Sequence, residues 1–402
     1  MHIPVIAIAS LTLAAAATTA PSVDPGMTAR LDQAIDRAIV SKRIVGTVVL
    51  VARDGEIIYR RAAGFGDREA AAPMREDMIF RLASISKPIV STAFMRLVEE
   101  KRIGLDDPVT KWLPDFRPRL ANGETPAITL RQLLTHTSGL SYRFLEPEGG
   151  VYHRLNVSDG LDQPGLSLDE NLRRLGQAPL AFRPGEGWRY SLGIDVLGAV
   201  IAKVTRKSLP DVVRTRVTGP LNMRDTGFAV ADPSRLAIPY ADGRPQPVRM
   251  TDGTFVPLWD GGVSFAPSRA LDPASYASGG AGMVGKAGDV LRFLETIRKG
   301  GGDILSPATV AAMMRDQVGP QAHAQGLGWG FGYGWAVLDD PSGTGTPQSS
   351  GTIQWGGAYG HSWFVDPSRK LTVVALTNTA FEGMSGAFPS EVRDAVYGRN
   401  GE

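Results

Sequence analysis

The run Phe80-Arg81-Leu82-Ala83-Ser84-Ile85-Ser86-Lys87-Pro88 decides how the rest of the chain is read. Val90, Phe94, Leu97 and Val98 follow it at helical spacing, and Pro88 suits a first turn, so a buried helix is predicted to begin near Ser84. A serine at such an end has free backbone N–H groups and the positive end of the helix dipole beside it. Both favour the oxyanion that forms when its hydroxyl attacks a carbonyl. Lys87 lies three residues on, one turn along the same face, so its amine can reach the serine oxygen. Burial would lower the lysine pKa and free a neutral amine to act as base. Alone, the serine and lysine form a pattern common by chance, which reads first as an N-cap and a solvated side chain. The context argues otherwise, because a lysine followed by proline and an apolar helix is not a typical solvated face.

Two further segments supply what this helix start lacks. Trp188-Arg189-Tyr190-Ser191-Leu192 precedes a helical pattern bearing Ile194, Leu197, Ile201 and Val204. A tyrosine at that junction can point its hydroxyl into a cleft and shuttle a proton between nucleophile, leaving group and water. Taken singly, it reads as a core tyrosine with a satisfied hydroxyl. Gln354-Trp355-Gly356-Gly357-Ala358-Tyr359-Gly360-His361 opens a C-terminal hairpin, and glycines in a strand mark close approach by a ligand or another backbone. The Ala358 N–H at such an edge would be a second oxyanion donor, although a plain glycine-rich turn explains the segment equally well.

Outward from these segments, a helix is expected over Met27 to Lys42, with Leu31, Ile35, Ala38 and Ile39 on one face. Val45 to Ala52, the turn Asp54-Gly55 and Glu56 to Tyr59 read as a β-hairpin. Trp363 to Val365, Asp366-Pro367-Ser368 and Leu371 to Leu376 read as another, so an antiparallel sheet assembled from both ends is expected. The middle is helical and loop, with helical spacing at Thr129 to Thr135, Asp169 to Leu175, Gly193 to Val204 and Asp211 to Val217. Pro239 to Ala277 shows no periodicity and reads as a long excursion that covers something or is inert surface.

Bulk composition narrows the function. The 402 residues are 43% hydrophobic and 21% charged, in the ordinary globular range. The formal charge is +2, with 43 basic and 41 acidic residues interspersed, so no basic stripe offers a surface for nucleic acid. Cysteine is absent, and His2, His136, His153, His323 and His361 show no metal-binding spacing, so no metal is expected. The apolar stretch from Ile3 to Ala20 predicts a signal peptide over residues 1–22 and a periplasmic or secreted protein. The missing basic residue ahead of it and the threonines near its end keep a cytoplasmic leader as the alternative. No later segment has the length of apolar sequence that a membrane span needs.

In their order and separation, Ser84-x-x-Lys87, Tyr190-Ser191-Leu192 and Trp355-Gly356-Gly357 resemble the class C β-lactamase and penicillin-recognising serine hydrolase superfamily. The nearer resemblance is to its family VIII carboxylesterases. Arg81-Leu82-Ala83-Ser84, Leu134-Thr135-His136-Thr137-Ser138-Gly139-Leu140 and Gly360-His361-Ser362-Trp363-Phe364-Val365-Asp366 are shared wording, and the resemblance runs from Leu31 to Tyr397. It implies an α+β, β-lactamase/transpeptidase-like fold. In it, an antiparallel sheet with flanking helices comes from residues 23–105 and 280–402, and a mainly helical part from 106–279.

The same resemblance implies Ser84 as nucleophile, Lys87 as its activating partner and Tyr190 as general base and acid, with the N–H groups of Ser84 and Ala358 as oxyanion hole. Tyr142, Trp355, Gly356, Gly357 and His361 are the substrate-contact candidates, and no cofactor is required. Leu192 stands where β-lactamases carry an Asn, and Trp355 replaces the lysine that engages the antibiotic carboxylate. These departures favour a small-molecule ester over a β-lactam. The activity expected is therefore a serine carboxylesterase acting on short-chain esters, including deacetylation of cephalosporins. The alternatives are a β-lactamase or D-amino-acid-directed peptidase, and a catalytically silent binding protein. A Ser-His-Asp triad is disfavoured because no complete G-x-S-x-G elbow occurs, and His136 reads as structural. Which of Lys87 and Tyr190 is the acylation base stays open, since coupled groups share their titration.

Overall fold

Val48, Leu50 and Ala52 pack into one hydrophobic core while Val49 and Val51 pack into a second, so the strand Gly46–Arg53 (β1) is buried on both faces. That explains its nearly unbroken apolar run, because both parities of the period-2 pattern need apolar side chains. The computed structural model describes residues 25–399 apart from 259–260 and 320–321, so the apolar leader lies outside the described residues. β1 turns through Asp54 and Gly55, with φ of 53° and 93°, into Glu56–Asp67 (β2). Two successive residues in the left-handed region match the twist of a tight hairpin, which is why Asp-Gly marks it.

Short Ala72–Pro73 (β3) follows β2. Five strands come from the other end of the chain: Trp329–Phe331 (β4), Ala336–Leu338 (β5), Ile353–Gly357 (β6), His361–Asp366 (β7) and Leu371–Thr377 (β8). The spatial order is β4-β5-β6-β7-β8-β1-β2-β3, with antiparallel neighbours throughout. The β1–β8 pairing, Thr47 opposite Thr377 through Arg53 opposite Leu371, joins the two ends of the chain.

On one face of this sheet lie the helices Pro25–Val40 (α1) and Ala387–Tyr397, with Leu31, Ile35, Phe388 and Val392 against Val49, Val51 and Phe364. The larger core on the other face holds Ser86–Glu99 (α2), Leu130–Leu134 (α3), Gly193–Thr205 (α4) and Ala287–Arg298 (α5). The fold is thus α+β with a large antiparallel sheet. Among the described residues no helix is long and apolar enough to cross a membrane.

The excursion from Pro239 to Ala277 is more ordered than its sequence suggests. Thr254–Leu258 and Gly261–Phe265 form an antiparallel hairpin, with Val256 opposite Val263. Pro257, which cannot donate to a ladder, masks the first strand in the sequence. This hairpin delivers Leu258 and Val263 to the wall of the cavity described next.

Candidate active site

Ser84 sits in a 3-10 turn, Ala83–Ile85, that feeds directly into α2. The turn is held from three directions. Phe80–Arg81 pairs with Val284–Gly285, and the Leu82 N–H donates to the Met283 carbonyl at 2.9 Å. Ser86 donates to the Ala83 carbonyl at 2.6 Å and accepts from the Met283 N–H at 3.0 Å. Ala83 has a φ of 45°, a left-handed conformation costly for a residue with a Cβ, and this framework imposes it. The end of β6 closes the turn from the third side: a Cβ on Gly357 would lie 2.4 Å from the Leu82 carbonyl oxygen. That approach needs a glycine.

Lys87 is wholly buried in the first turn of α2. Its Nζ donates to Ser84 Oγ at 3.1 Å and to the Gly280 carbonyl at 2.8 Å. It also lies 4.5 Å from the centre of the Tyr190 ring. Burial pushes its pKa down to about 7, against an opposing pull from Asp195 and then Asp159.

Tyr190 lies in the extended segment before α4, and its hydroxyl donates to Ser84 Oγ at 2.7 Å. Burial pushes this phenol well above its ordinary range, partly offset by the polar groups of Ser84 and Trp355, so it carries its proton near neutrality. His136 fixes the segment: its Nδ1 accepts from the Ser191 N–H at 3.3 Å and pairs with Ser191 Oγ at 3.1 Å, and its ring meets the Tyr190 ring edge-on at 4.9 Å. Burial and the nearby Lys87 hold His136 neutral, consistent with a brace rather than a base.

Ser84 and Tyr190 line a cavity of about 770 Å³ whose lining also includes Tyr142, Trp355, Gly356 and Ala358, and Lys87 lies buried beside them. Much of its wall is aromatic. Tyr142 stacks on Phe144 at 4.9 Å and tilts against Tyr190 at 4.9 Å, while Trp355 lies 5.2 Å from the Tyr190 ring. The Ser84 N–H stands in the first turn of a helix and the Ala358 N–H just past the end of β6, positions from which both could meet an oxyanion. β5 pairs with β6 only as far as Gln354, which leaves Trp355 to Gly357 unpaired on the side where that oxyanion would sit.

Two of the substrate-contact candidates are placed elsewhere. His361 is buried, its Nε2 bonds the Arg81 carbonyl at 2.8 Å and its ring meets Phe80 edge-on, so it pins β7 to the segment leading into the Ser84 turn and does not line the cavity. Gly357 also faces away, against the Leu82 backbone. Leu192 is fully buried and brings no donor to the site.

Three residues of the site were not apparent from the sequence. Asp195, buried on α4, and Gly280 flank Lys87, and Asp159 lines the cavity while accepting from the Arg143 and Phe144 N–H groups at 2.7 and 3.2 Å. Burial pushes the Asp159 carboxyl up to about 7. A lone acid among Ile194, Val196 and Leu197 is the signal that could have revealed Asp195.

Ser84 and Tyr190 belong to the cavity wall and Lys87 lies buried beside them; family membership follows from the whole chain. Residues 31–396 match the β-lactamase family. The chain belongs to that family. It is 57% identical over 393 residues to esterase EstB of Burkholderia gladioli, covering 95% of this chain and all of that protein. The solved structure of EstCE1, described as a hydrolase with promiscuous acyltransferase activity, superposes with a TM-score of 0.91 at 51% identity, covering 93% of this chain and 99% of that one. Simvastatin synthase LovD of Aspergillus terreus, at 23% identity and a TM-score of 0.73 over 91% of this chain and 97% of its own, shares the fold. Trp355 brings an aromatic face to the cavity wall, while the fully buried Leu192 does not line it.

Proposed function

We propose that this chain is a serine carboxylesterase that hydrolyses small carboxylic esters through an acyl-enzyme on Ser84. The observation that carries the reading is the convergence on one oxygen: Tyr190 at 2.7 Å and Lys87 at 3.1 Å from Ser84 Oγ, at the end of a largely apolar cavity. Its similarity to esterase EstB over nearly the whole length supports the same activity.

In acylation, neutral Lys87 takes the Ser84 proton as Oγ bonds to the ester carbonyl carbon, and the Ser84 and Ala358 N–H groups hold the oxyanion. When the tetrahedral adduct collapses, the bond to the alcohol oxygen breaks and Tyr190 protonates that oxygen. The proton on Lys87 then restores the phenol, so the serine proton has in effect left with the alcohol. Deacylation runs the same steps backwards with water in place of the alcohol. Lys87 is the acylation base in this scheme because burial favours its neutral form, whereas it disfavours the phenolate of Tyr190.

A panel of p-nitrophenyl esters with wild type and Ser84→Ala tests the reading, together with nitrocefin and a cephalosporin bearing an acetoxy group. Short-chain ester hydrolysis lost in Ser84→Ala, and acetate release with the lactam ring intact, are expected. Nitrocefin turnover matching that of p-nitrophenyl butyrate would instead make the protein a β-lactamase. Stoichiometric fluorophosphonate labelling of Ser84 without turnover of any ester would make it a silent binder.

A further inference from the structure

Asp195 is the only acid of α4, and it lies at the third helical position with its side chain almost fully buried. Acids at this position usually bond the free N–H groups of the helix start, and Asp195 does not: neither carboxylate oxygen has a hydrogen-bond partner. The Ser278 hydroxyl and the Gly280 N–H face it and favour its charged form, against the larger effect of burial. A buried carboxylate is costly, and here the cost is offset by these polar groups and by the charge of Lys87.

Gly280 shows which charge that is. A Cβ added there would lie 2.5 Å from Asp195 Oδ2, 2.9 Å from the Tyr142 hydroxyl and 3.4 Å from Lys87 Nζ. Three polar groups thus surround the bare face of one glycine, whose carbonyl accepts from Lys87 at 2.8 Å. Lys87 and Asp195 form no direct ion pair; they sense each other across Gly280.

We infer that Asp195 is a positioning residue which, across Gly280, sets the charge carried by the Lys87 amine and so the pH at which Ser84 is activated. The inference rests on the reading of Lys87 as the acylation base. The other groups facing the cluster do not replace Asp195. Asp159, the second acid acting on Lys87, is engaged by the Arg143 and Phe144 N–H groups. Arg269 donates to the Asp162, Gln163 and Tyr276 carbonyls. Tyr142, Tyr190 and Tyr276 stay protonated because burial raises all three, and His136 stays neutral. Asp195 is therefore the acid with the strongest hold on Lys87, and its effect opposes the burial that drives Lys87 toward the neutral amine.

The test is the pH profile of kcat/KM for p-nitrophenyl butyrate in wild type, Asp195→Asn and Asp195→Leu, each checked for folding by thermal melting. Removing the carboxylate removes the interaction that favours the ammonium form. The acid limb is expected to move to lower pH by about one unit or more in whichever variants fold. A folded variant of either kind whose acid limb stays at the wild-type pH overturns the inference. Lys87→Met separates the two readings: if the wild-type acid limb persists in its residual activity, the assignment of Lys87 as base is what fails.

Discussion

Lys87 Nζ lies 3.1 Å from Ser84 Oγ although the lysine side chain is wholly buried, and no carboxylate pairs with it among the described ion pairs. An ammonium so placed is poorly solvated, and its pKa falls to about 7. Much of the chemistry follows from that single placement.

The first consequence is a pH profile. With Lys87 as the proposed base, kcat/KM for a neutral ester should rise with pH, bend near 7 and level off above it. Below the bend the fall should approach tenfold per unit. Steady-state rates in constant-ionic-strength buffers check this, and a rate independent of pH between 5 and 8 contradicts it.

Tyr190→Phe removes one oxygen and leaves the ring packed against His136, Tyr142 and Trp355. We expect kcat to fall by about 10²–10⁴-fold, the usual worth of a general acid or base, with little change in melting temperature. Circular dichroism melts beside initial rates separate lost chemistry from lost structure.

Gly357→Ala should damage both stability and rate, since its Cβ would meet the Leu82 carbonyl at 2.4 Å, two residues ahead of Ser84. Overpacking of this kind typically costs about 1–3 kcal/mol, and moving the turn would also displace the Ser84 N–H. Gly288→Ala is the control: nothing lies within 4 Å of its added Cβ, and it sits inside α5, so a gain of roughly 0.5–1 kcal/mol is expected. Urea unfolding of both variants measures the contrast.

His361 should act on stability rather than on substrate affinity. Burial lowers its pKa from 6.5 to about 4. The unfolded chain therefore binds a proton that the folded one refuses, and stability present above pH 6.5 is lost as the pH falls through 4. His361→Gln should lose on the order of 1 kcal/mol at pH 8, where the bond to the Arg81 carbonyl is weakened. The gap to wild type should narrow or reverse near pH 4.5, with KM unchanged throughout. Melting temperatures across that range, with one KM determination at pH 8, decide it.

The sheet was legible because its two hairpins carry their signals locally, in Asp54-Gly55 and Asp366-Pro367-Ser368. Ser84, Lys87 and Tyr190 were legible because each stands at the start of an apolar helical pattern. The reach of Lys87 to Ser84 was legible from their spacing, but that of Tyr190 only by resemblance, since residues 106 apart carry no local sign of contact. Which way the side chains of β6 and β7 face depends on the sheet's surroundings rather than on the strands themselves. For that reason the strand sequences do not show that Trp355 and Gly356 line the cavity while Gly357 and His361 lie outside its lining. Asp195 stayed hidden for a different reason: one acid near a helix start reads as an ordinary dipole contact until burial shows that it lacks one.

The most direct test of the account is the intact mass of the enzyme, quenched in acid milliseconds after mixing with p-nitrophenyl butyrate, followed by peptide mapping. A species heavier by one butyryl group, mapped to Ser84 and absent from Ser84→Ala, is the predicted result. Full ester turnover by Ser84→Ala, or an acyl group mapped to any other residue, would contradict it.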